Sequence, residues 1–272
     1  MENNKNINLI IQKITGLTKG QLFLNPEVNP KFDKDIEKSI KRFDEWEPIE
    51  YIINNAEFYS LDFYVDNRVL IPRDDTEIMV DLAIETIVSL NKVTLIDVWT
   101  WSSCIPISIL ENTNLVDNTY VIDISDKALE VSKINIEKHG FTKKIEQVKT
   151  SLLNSLSSSR EREYKFNKNI IITANLPYIK DDDFSNIDKE TMEFEPALAL
   201  YWWKETWFEL YEKLIDQCIE IKKVNEIKKL VLFIEIGFDQ KEYCEKYINK
   251  MLLKCKIFKD NSGVERCVRI EF

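Results

Sequence analysis

The chain has 272 residues, 44% of them hydrophobic and 31% charged, enough for one α/β domain of about 200 residues and a small extra domain. Its formal net charge of −10 argues against a broad phosphate-binding surface, and no apolar run reaches the roughly 18 residues of a membrane-spanning helix. Five scattered cysteines without a C-x-x-C pair, and a single histidine, His139, give little support to a zinc site or a Cys-His nucleophile; Cys104, Cys218, Cys244, Cys255 and Cys267 read mostly as small buried hydrophobes.

The polar start, MENNKNINLIIQKITG, lacks the marks of a signal peptide, so a cytosolic protein is expected. Ile7, Ile10, Ile11 and Ile14, and later Phe32, Ile36, Ile40 and Phe43, repeat at helical spacing, with Pro26 and Pro30 between the two groups. A helical module this small has to lean on another part of the chain. From Glu57 the pattern turns β-like through Phe58, Leu61, Phe63 and Val65, then Val69 to Ile71, and predicts a hairpin turning at Asp66-Asn67.

Next come a helix over 76–90, strands over 93–97 and 119–123, and a helix over 126–138 stopped by Gly140. Strands follow over 145–149 and 169–174, a helix over 205–222, a strand over 230–236, a helix over 240–253, and closing strands over 255–259 and 265–271. Seven strands, the early ones separated by helices, predict an α/β fold with a parallel, doubly wound sheet. The closing pair, around Asn261-Ser262-Gly263, reads as an antiparallel hairpin. The expected division is a helical part over 1–55, a hairpin linker over 56–72 and the α/β domain over 73–272.

Three constellations carry chemistry. Asp97-Val98-Trp99-Thr100-Trp101-Ser102-Ser103-Cys104 follows the first central strand, where open α/β sheets bind ligands beyond the carboxyl ends of their strands. Such a loop ordinarily needs glycine, so that backbone reaches a cofactor and adopts positive φ. Asp123 ends the next strand, where a carboxylate can accept from both ribose hydroxyls; otherwise it caps the helix that follows. Asn175-Leu176-Pro177-Tyr178 follows the strand over 169–174. An amide or aryl-amine nitrogen is a poor nucleophile because its lone pair is delocalised. The Asn175 side-chain oxygen and the Leu176 carbonyl can accept its two N–H groups while Tyr178 packs on the planar group, a matter of positioning and electrostatics. The plain alternative is a strand-to-loop turn with an aromatic plug.

Over nearly its whole length the chain resembles the release-factor glutamine N5-methyltransferases. The matching stretches are Glu47-Pro48-Ile49-Glu50-Tyr51-Ile52; Val69-Leu70-Ile71-Pro72-Arg73-Asp74-Asp75-Thr76-Glu77; the loop after Asp97; Val121-Ile122-Asp123-Ile124-Ser125 with Ala128-Leu129 and Asn135; Asn175-Leu176-Pro177-Tyr178-Ile179; Glu195-Pro196-Ala197-Leu198-Ala199-Leu200; and Glu235-Ile236-Gly237 with Gln240. The resemblance implies a seven-stranded, Rossmann-like class I methyltransferase domain using S-adenosylmethionine and releasing S-adenosylhomocysteine. It implies a cofactor site at Asp97, Trp99, Thr100, Trp101, Ser102, Ser103, Asp123, Ser151, Leu152 and Asn175. It further implies a helical N-terminal part that recognises a release factor, whose Gly-Gly-Gln glutamine enters a pocket at Asn175, Leu176, Pro177 and Tyr178, with Asn175, Pro177 and Tyr178 as the catalytic group. No metal, membrane or direct nucleic-acid partner is expected.

The chain departs from the family in three respects. Leu176 takes the place of the first of two prolines, and Asn-Leu-Pro-Tyr is also the form common in rRNA adenine dimethyltransferases. Ser151 stands where the family has an acidic residue near the adenine. Finally, only 5 glycines occur, and all six tryptophans, Trp46, Trp99, Trp101, Trp202, Trp203 and Trp207, fall where the family pattern has glycine. Tryptophan is a poor physical substitute for glycine in tight turns. The pattern is accounted for if the gene uses the UGA codon for glycine and this sequence reads it as tryptophan. The rival readings are an adenine-N6 methyltransferase and, if the tryptophans are genuine, an inactive binding protein with a methyltransferase fold.

Overall fold

The computed structural model describes residues 2–24, 29–158, 164–177, 193–196 and 208–272. Four short helices open the chain, at Glu2–Thr15, Lys19–Leu24, Asp33–Asp44 and Ile49–Ile53. The first lies against the third and fourth and buries Ile10. Helix Asp33–Asp44 carries Asp33 and Asp35 in its first turn and Lys41 and Arg42 in its last, charges that suit the helix dipole. It stops in a Schellman motif: the Trp46 N–H donates to the Phe43 carbonyl at 3.0 Å and the Glu47 N–H to the Arg42 carbonyl at 3.1 Å. Trp46 holds the left-handed position at φ 70°. The fourth helix packs on the stretch that follows it, with the buried Tyr51 hydroxyl donating to the Val69 carbonyl at 2.6 Å.

The hairpin turns earlier than its sequence pattern predicts. Strands β1 (Ala56–Phe58) and β2 (Leu61–Phe63) are joined by Tyr59 and Ser60, at φ 52° and 59°, a two-residue turn whose left-handed residues match strand twist. Asp66 and Asn67 form a separate turn. There the Asp66 carboxylate accepts from the Arg68 backbone N–H at 3.1 Å, a local bond that competes with strand pairing. Val69 is buried without a partner strand because its apolar side chain serves the core.

The seven-stranded sheet has the order β5-β4-β3-β6-β7-β9-β8, from β3 (Val93–Val98), β4 (Val116–Asp123), β5 (Ile145–Lys149), β6 (Asn169–Ala174), β7 (Lys229–Glu235), β8 (Lys254–Lys259) and β9 (Glu265–Glu271). The first five positions are parallel and β9 pairs antiparallel with both β7 and β8. Central strands are buried on both faces, so they read as continuous apolar runs. Alternate side chains feed two cores: Ile96, Val98, Ile170 and Ile172 pack on one face, Val93, Leu95, Ile171 and Phe233 on the other. Each such side chain contributes about 1.5–3 kcal/mol by burial.

Helices Glu77–Leu90, Cys104–Asn112, Asp126–Lys138, Glu209–Val224 and Lys241–Lys250 cover the sheet. Among the described residues, no helix is long and apolar enough to cross a membrane. Four cysteines are buried and Cys255 is half-buried, in keeping with their reading as hydrophobes.

Candidate active site

Strand order reverses direction at β3: β4 lies on one side of it and β6 on the other, which opens a crevice at the carboxyl ends. The pairing of Asp97 with Val121 and Thr173, and of Ala174 with Ile234, brings Asp97, Asp123, Asn175 and Glu235 to that one edge. Three of the four were expected there from sequence.

Asp97 holds the loop in shape. Its two oxygens accept from the Thr100 hydroxyl at 2.5 Å and the Thr173 hydroxyl at 2.6 Å. Thr100 also lies 3.0 Å from the Ser103 hydroxyl, which lies 2.6 Å from that of Ser132. The Trp99 and Thr100 N–H groups donate to the Ile122 carbonyl at 2.8 and 2.9 Å, so the loop continues the β3–β4 ladder before it turns. Trp99, Trp101 and Ser103 make that turn with φ of 66°, 49° and 62°. Asn135 braces it from outside. Its side-chain nitrogen donates to the Ser102 carbonyl at 3.0 Å and the Tyr64 carbonyl at 2.9 Å, while its oxygen accepts from the Tyr64 N–H at 2.7 Å.

Asp123 accepts from the Trp101 N–H at 3.2 Å and the Ser125 N–H at 2.9 Å. It is not the cap of the next helix; that cap is the Ser125 hydroxyl, 3.2 Å from the Ala128 N–H. Burial raises the Asp123 carboxyl to about 6, against the pull of the backbone N–H groups of Ser125, Trp101 and Ile124. Burial raises Asp97 to about 7; the Thr100 and Thr173 hydroxyls oppose this and the Asp123 charge adds to it. Ser151 is half-buried beside Leu152, which is buried at φ 52°.

Asn175 begins one residue beyond β6 and is 9% exposed. Its side-chain nitrogen donates to Glu235 Oε2 at 3.1 Å and approaches Thr76 Oγ1 at 3.4 Å, and the Thr76 hydroxyl donates to the same Glu235 oxygen at 2.6 Å. A carboxylate accepts only, so it fixes which end of the amide faces it. Among the described residues, Asn175 Oδ1 accepts no hydrogen bond. The Leu176 N–H donates to the Tyr211 hydroxyl at 3.2 Å, and that hydroxyl gives its proton to the Glu235 main-chain carbonyl. The Leu176 carbonyl, 3.5 Å from Tyr211 Oη, keeps acceptor capacity. Pro177 follows at the buried edge; Tyr178 lies outside the described residues, as do Trp202, Trp203 and Trp207.

Sequence reasoning did not assign roles to Thr76, Tyr211 or Glu235. The available signal was Glu235 itself, a carboxylate ending the apolar run LVLFIE. Arg73 and Glu195 also form an ion pair, joining two stretches on which the family resemblance rests.

No protein-family model matches the chain. A release factor glutamine methyltransferase of Clostridium botulinum is 32% identical over 270 residues, covering 96% of this chain and 89% of that protein. One from Mycoplasma mycoides is 34% identical over 211 residues, covering 77% and 70%. A bifunctional methyltransferase of Rickettsia typhi is 31% identical over 285 residues, and this chain spans only 52% of its length. Among solved structures, the catalytic domain of hMettl16 in complex with an RNA hairpin has a TM-score of 0.59 at 13% identity, covering 79% of this chain and 76% of that one. The N-terminal domain of human METTL16 with SAH has a TM-score of 0.53 at 15% identity, covering 78% and 76%. Sheet order, crevice and relatives define an S-adenosylmethionine-dependent methyltransferase of the Rossmann-like class I fold. Within that class, the chain belongs to the release factor glutamine methyltransferase family.

The backbone of the crevice fits the methyl donor: a turning loop after β3, with the Asp123 carboxylate at the end of β4. Two side chains do not fit. The indoles of Trp99 and Trp101 are packed as core at 3% and 6% exposure, edge to face with centroids 6.1 Å apart, in the loop that the sequence pattern assigns to the donor.

Proposed function

We propose that this enzyme methylates the side-chain amide nitrogen of the glutamine in a Gly-Gly-Gln segment of a peptide-chain release factor, in the cytosol. The reaction forms an N–C bond as the donor's sulfonium S–C bond breaks, leaving a neutral thioether, and the amide nitrogen gives up one N–H as a proton to solvent. The chain's own part is to hold the nitrogen. Asn175 Oδ1 and the Leu176 carbonyl accept its two N–H groups, which orients it and favours pyramidalisation. Tyr178 is the proposed cover over the planar amide.

The observation that carries this reading is the Asn175 amide, anchored through its nitrogen with its oxygen left to accept. The relatives' names support a release factor as substrate, and the net charge of −10 speaks against nucleic acid. Leu176 in the first proline position keeps an adenine-N6 reading in play, since the same two acceptors suit an aryl amine.

The test incubates the Trp99→Gly/Trp101→Gly chain with a release factor, or separately with ribosomal RNA, and labelled donor, followed by peptide and nucleoside mapping. Label on the Gly-Gly-Gln glutamine is expected. Label on RNA adenine with none on protein would replace the reading.

A further inference from the structure

Resting on the reading of Asn175 as the amide-holding group, we propose that Glu235 and Thr76 are positioning residues for methyl transfer. They lie 60 and 99 positions from Asn175 in sequence and meet it at the carboxyl edge of the sheet. Asparagine carboxamides rotate easily between two near-isosteric states, one presenting oxygen and the other nitrogen to substrate. Only the state with oxygen outward can accept from an amide N–H. Glu235, 3% exposed, supplies an acceptor on the inner side, and the hydroxyl of Thr76 donates to the same oxygen, fixing that acceptor in place. The flipped state would set the Asn175 oxygen against a buried carboxylate. The pair therefore selects the productive rotamer before substrate arrives, which is preorganisation rather than contact with the reacting atoms.

The test has two arms. In the chain as it stands, 15N-labelled and with Asn175→Asp for assignment, the Asn175 side-chain amide is expected to show one strongly shifted, exchange-protected proton. Glu235→Gln and Thr76→Val should move that signal, and Thr76→Ser should restore it. In the Trp99→Gly/Trp101→Gly background, Glu235→Gln should lower kcat about tenfold, the difference between a charged and a neutral hydrogen bond, with KM for the protein substrate within about twofold. An Asn175 signal unmoved by Glu235→Gln, or a loss confined to KM, would overturn the positioning role. If the signal moves as stated while the parent labels no protein glutamine, the substrate reading fails and the positioning of Asn175 stands.

A second inference joins backbone geometry to the placement of the tryptophans in the sequence pattern. All three tryptophans among the described residues, Trp46, Trp99 and Trp101, lie at φ of 70°, 66° and 49°. Only a few per cent of non-glycine residues adopt such values, and bulky ones are outliers there. They sit in two unrelated settings: Trp46 at an exposed Schellman position after a helix, and Trp99 with Trp101 in the buried turn after β3. One shared cause is that each backbone site is built for glycine. We infer that residues 46, 99 and 101 are glycine in the protein as its own cells make it, with UGA decoded as glycine. The inference also removes the misfit in the crevice, because a loop without indoles leaves room for donor.

Intact-mass and peptide analysis of the protein isolated from those cells is expected to return glycine at the three positions; tryptophan at any of them would overturn the inference there. In calorimetry, Trp99→Gly/Trp101→Gly should bind S-adenosylmethionine at least tenfold more tightly than the chain as written. Equal affinity would overturn the claim that the indoles close the site.

Discussion

Arg73 and Glu195 form an ion pair across 122 positions of sequence, with the Glu195 side chain buried and the Arg73 guanidinium half-exposed. The segment before helix Glu77–Leu90 is thereby fastened to the segment that carries Glu195-Pro196. Arg73→Ala strips a charged partner from a buried carboxylate and should cost about 1–2 kcal/mol, less than a fully buried pair because water reaches the arginine. Arg73→Ala and Glu195→Gln together should cost less than the sum of the two, by about 1 kcal/mol in urea unfolding. Strict additivity would mean the pair adds nothing.

Trp46 offers a stability test free of any cofactor. Its indole is 64% exposed, so little burial offsets the left-handed backbone. Trp46→Gly should raise unfolding free energy by about 1 kcal/mol, the penalty of a side chain in that region. A fall in stability would show that the indole packs usefully after all.

The two buried carboxyls set a pH dependence. Asp97 near 7 and Asp123 near 6 are both raised by burial above the ordinary 3.8. The folded chain thus binds these protons more tightly than the unfolded chain. Their contribution to stability is fully present below about pH 4 and is lost as pH rises through 6 and then 7. Asp97→Asn, which cannot ionise, should be more favourable relative to the parent at about pH 8 than at about pH 5. Denaturation midpoints at the two pH values measure it, and an unchanged gap would contradict the assignment.

Asn175→Ala removes the oxygen proposed to hold the amide but leaves the Asp123 end of the crevice intact. In the glycine-loop background, kcat should fall about a hundredfold or more while donor affinity changes less than about threefold. The fold should lose about 1–2 kcal/mol as well, since Glu235 loses a donor. A fall in donor affinity equal to the loss in kcat would place Asn175 on the donor instead.

Local signals in the sequence were reliable where one period ruled. β6 and the helix Asp126–Lys138 match their predicted bounds, because an apolar run and a glycine stop leave one choice, and β5 matches its bounds as well. The hairpin turn was misplaced since Asp66-Asn67 is the better turn dipeptide by composition, whereas Tyr59 and Ser60 take left-handed values that their side chains do not advertise. Helix Cys104–Asn112 escaped notice because CIPISILEN alternates like a strand and holds Pro106, tolerated here in the first turn. In the crevice, Asp123 and Asn175 were legible from their places after strands. Glu235 and Thr76 were not, since their meeting across 159 positions is a product of sheet order.

One side chain, Asn135, grips the Tyr64 backbone on one hand and the Ser102 backbone on the other. The backbone at residue 64 and the loop after β3 are thus two ends of a single strut. By linkage, a ligand that steadied residue 64 through this strut would favour occupancy of the crevice only as much as an occupied crevice favoured that ligand.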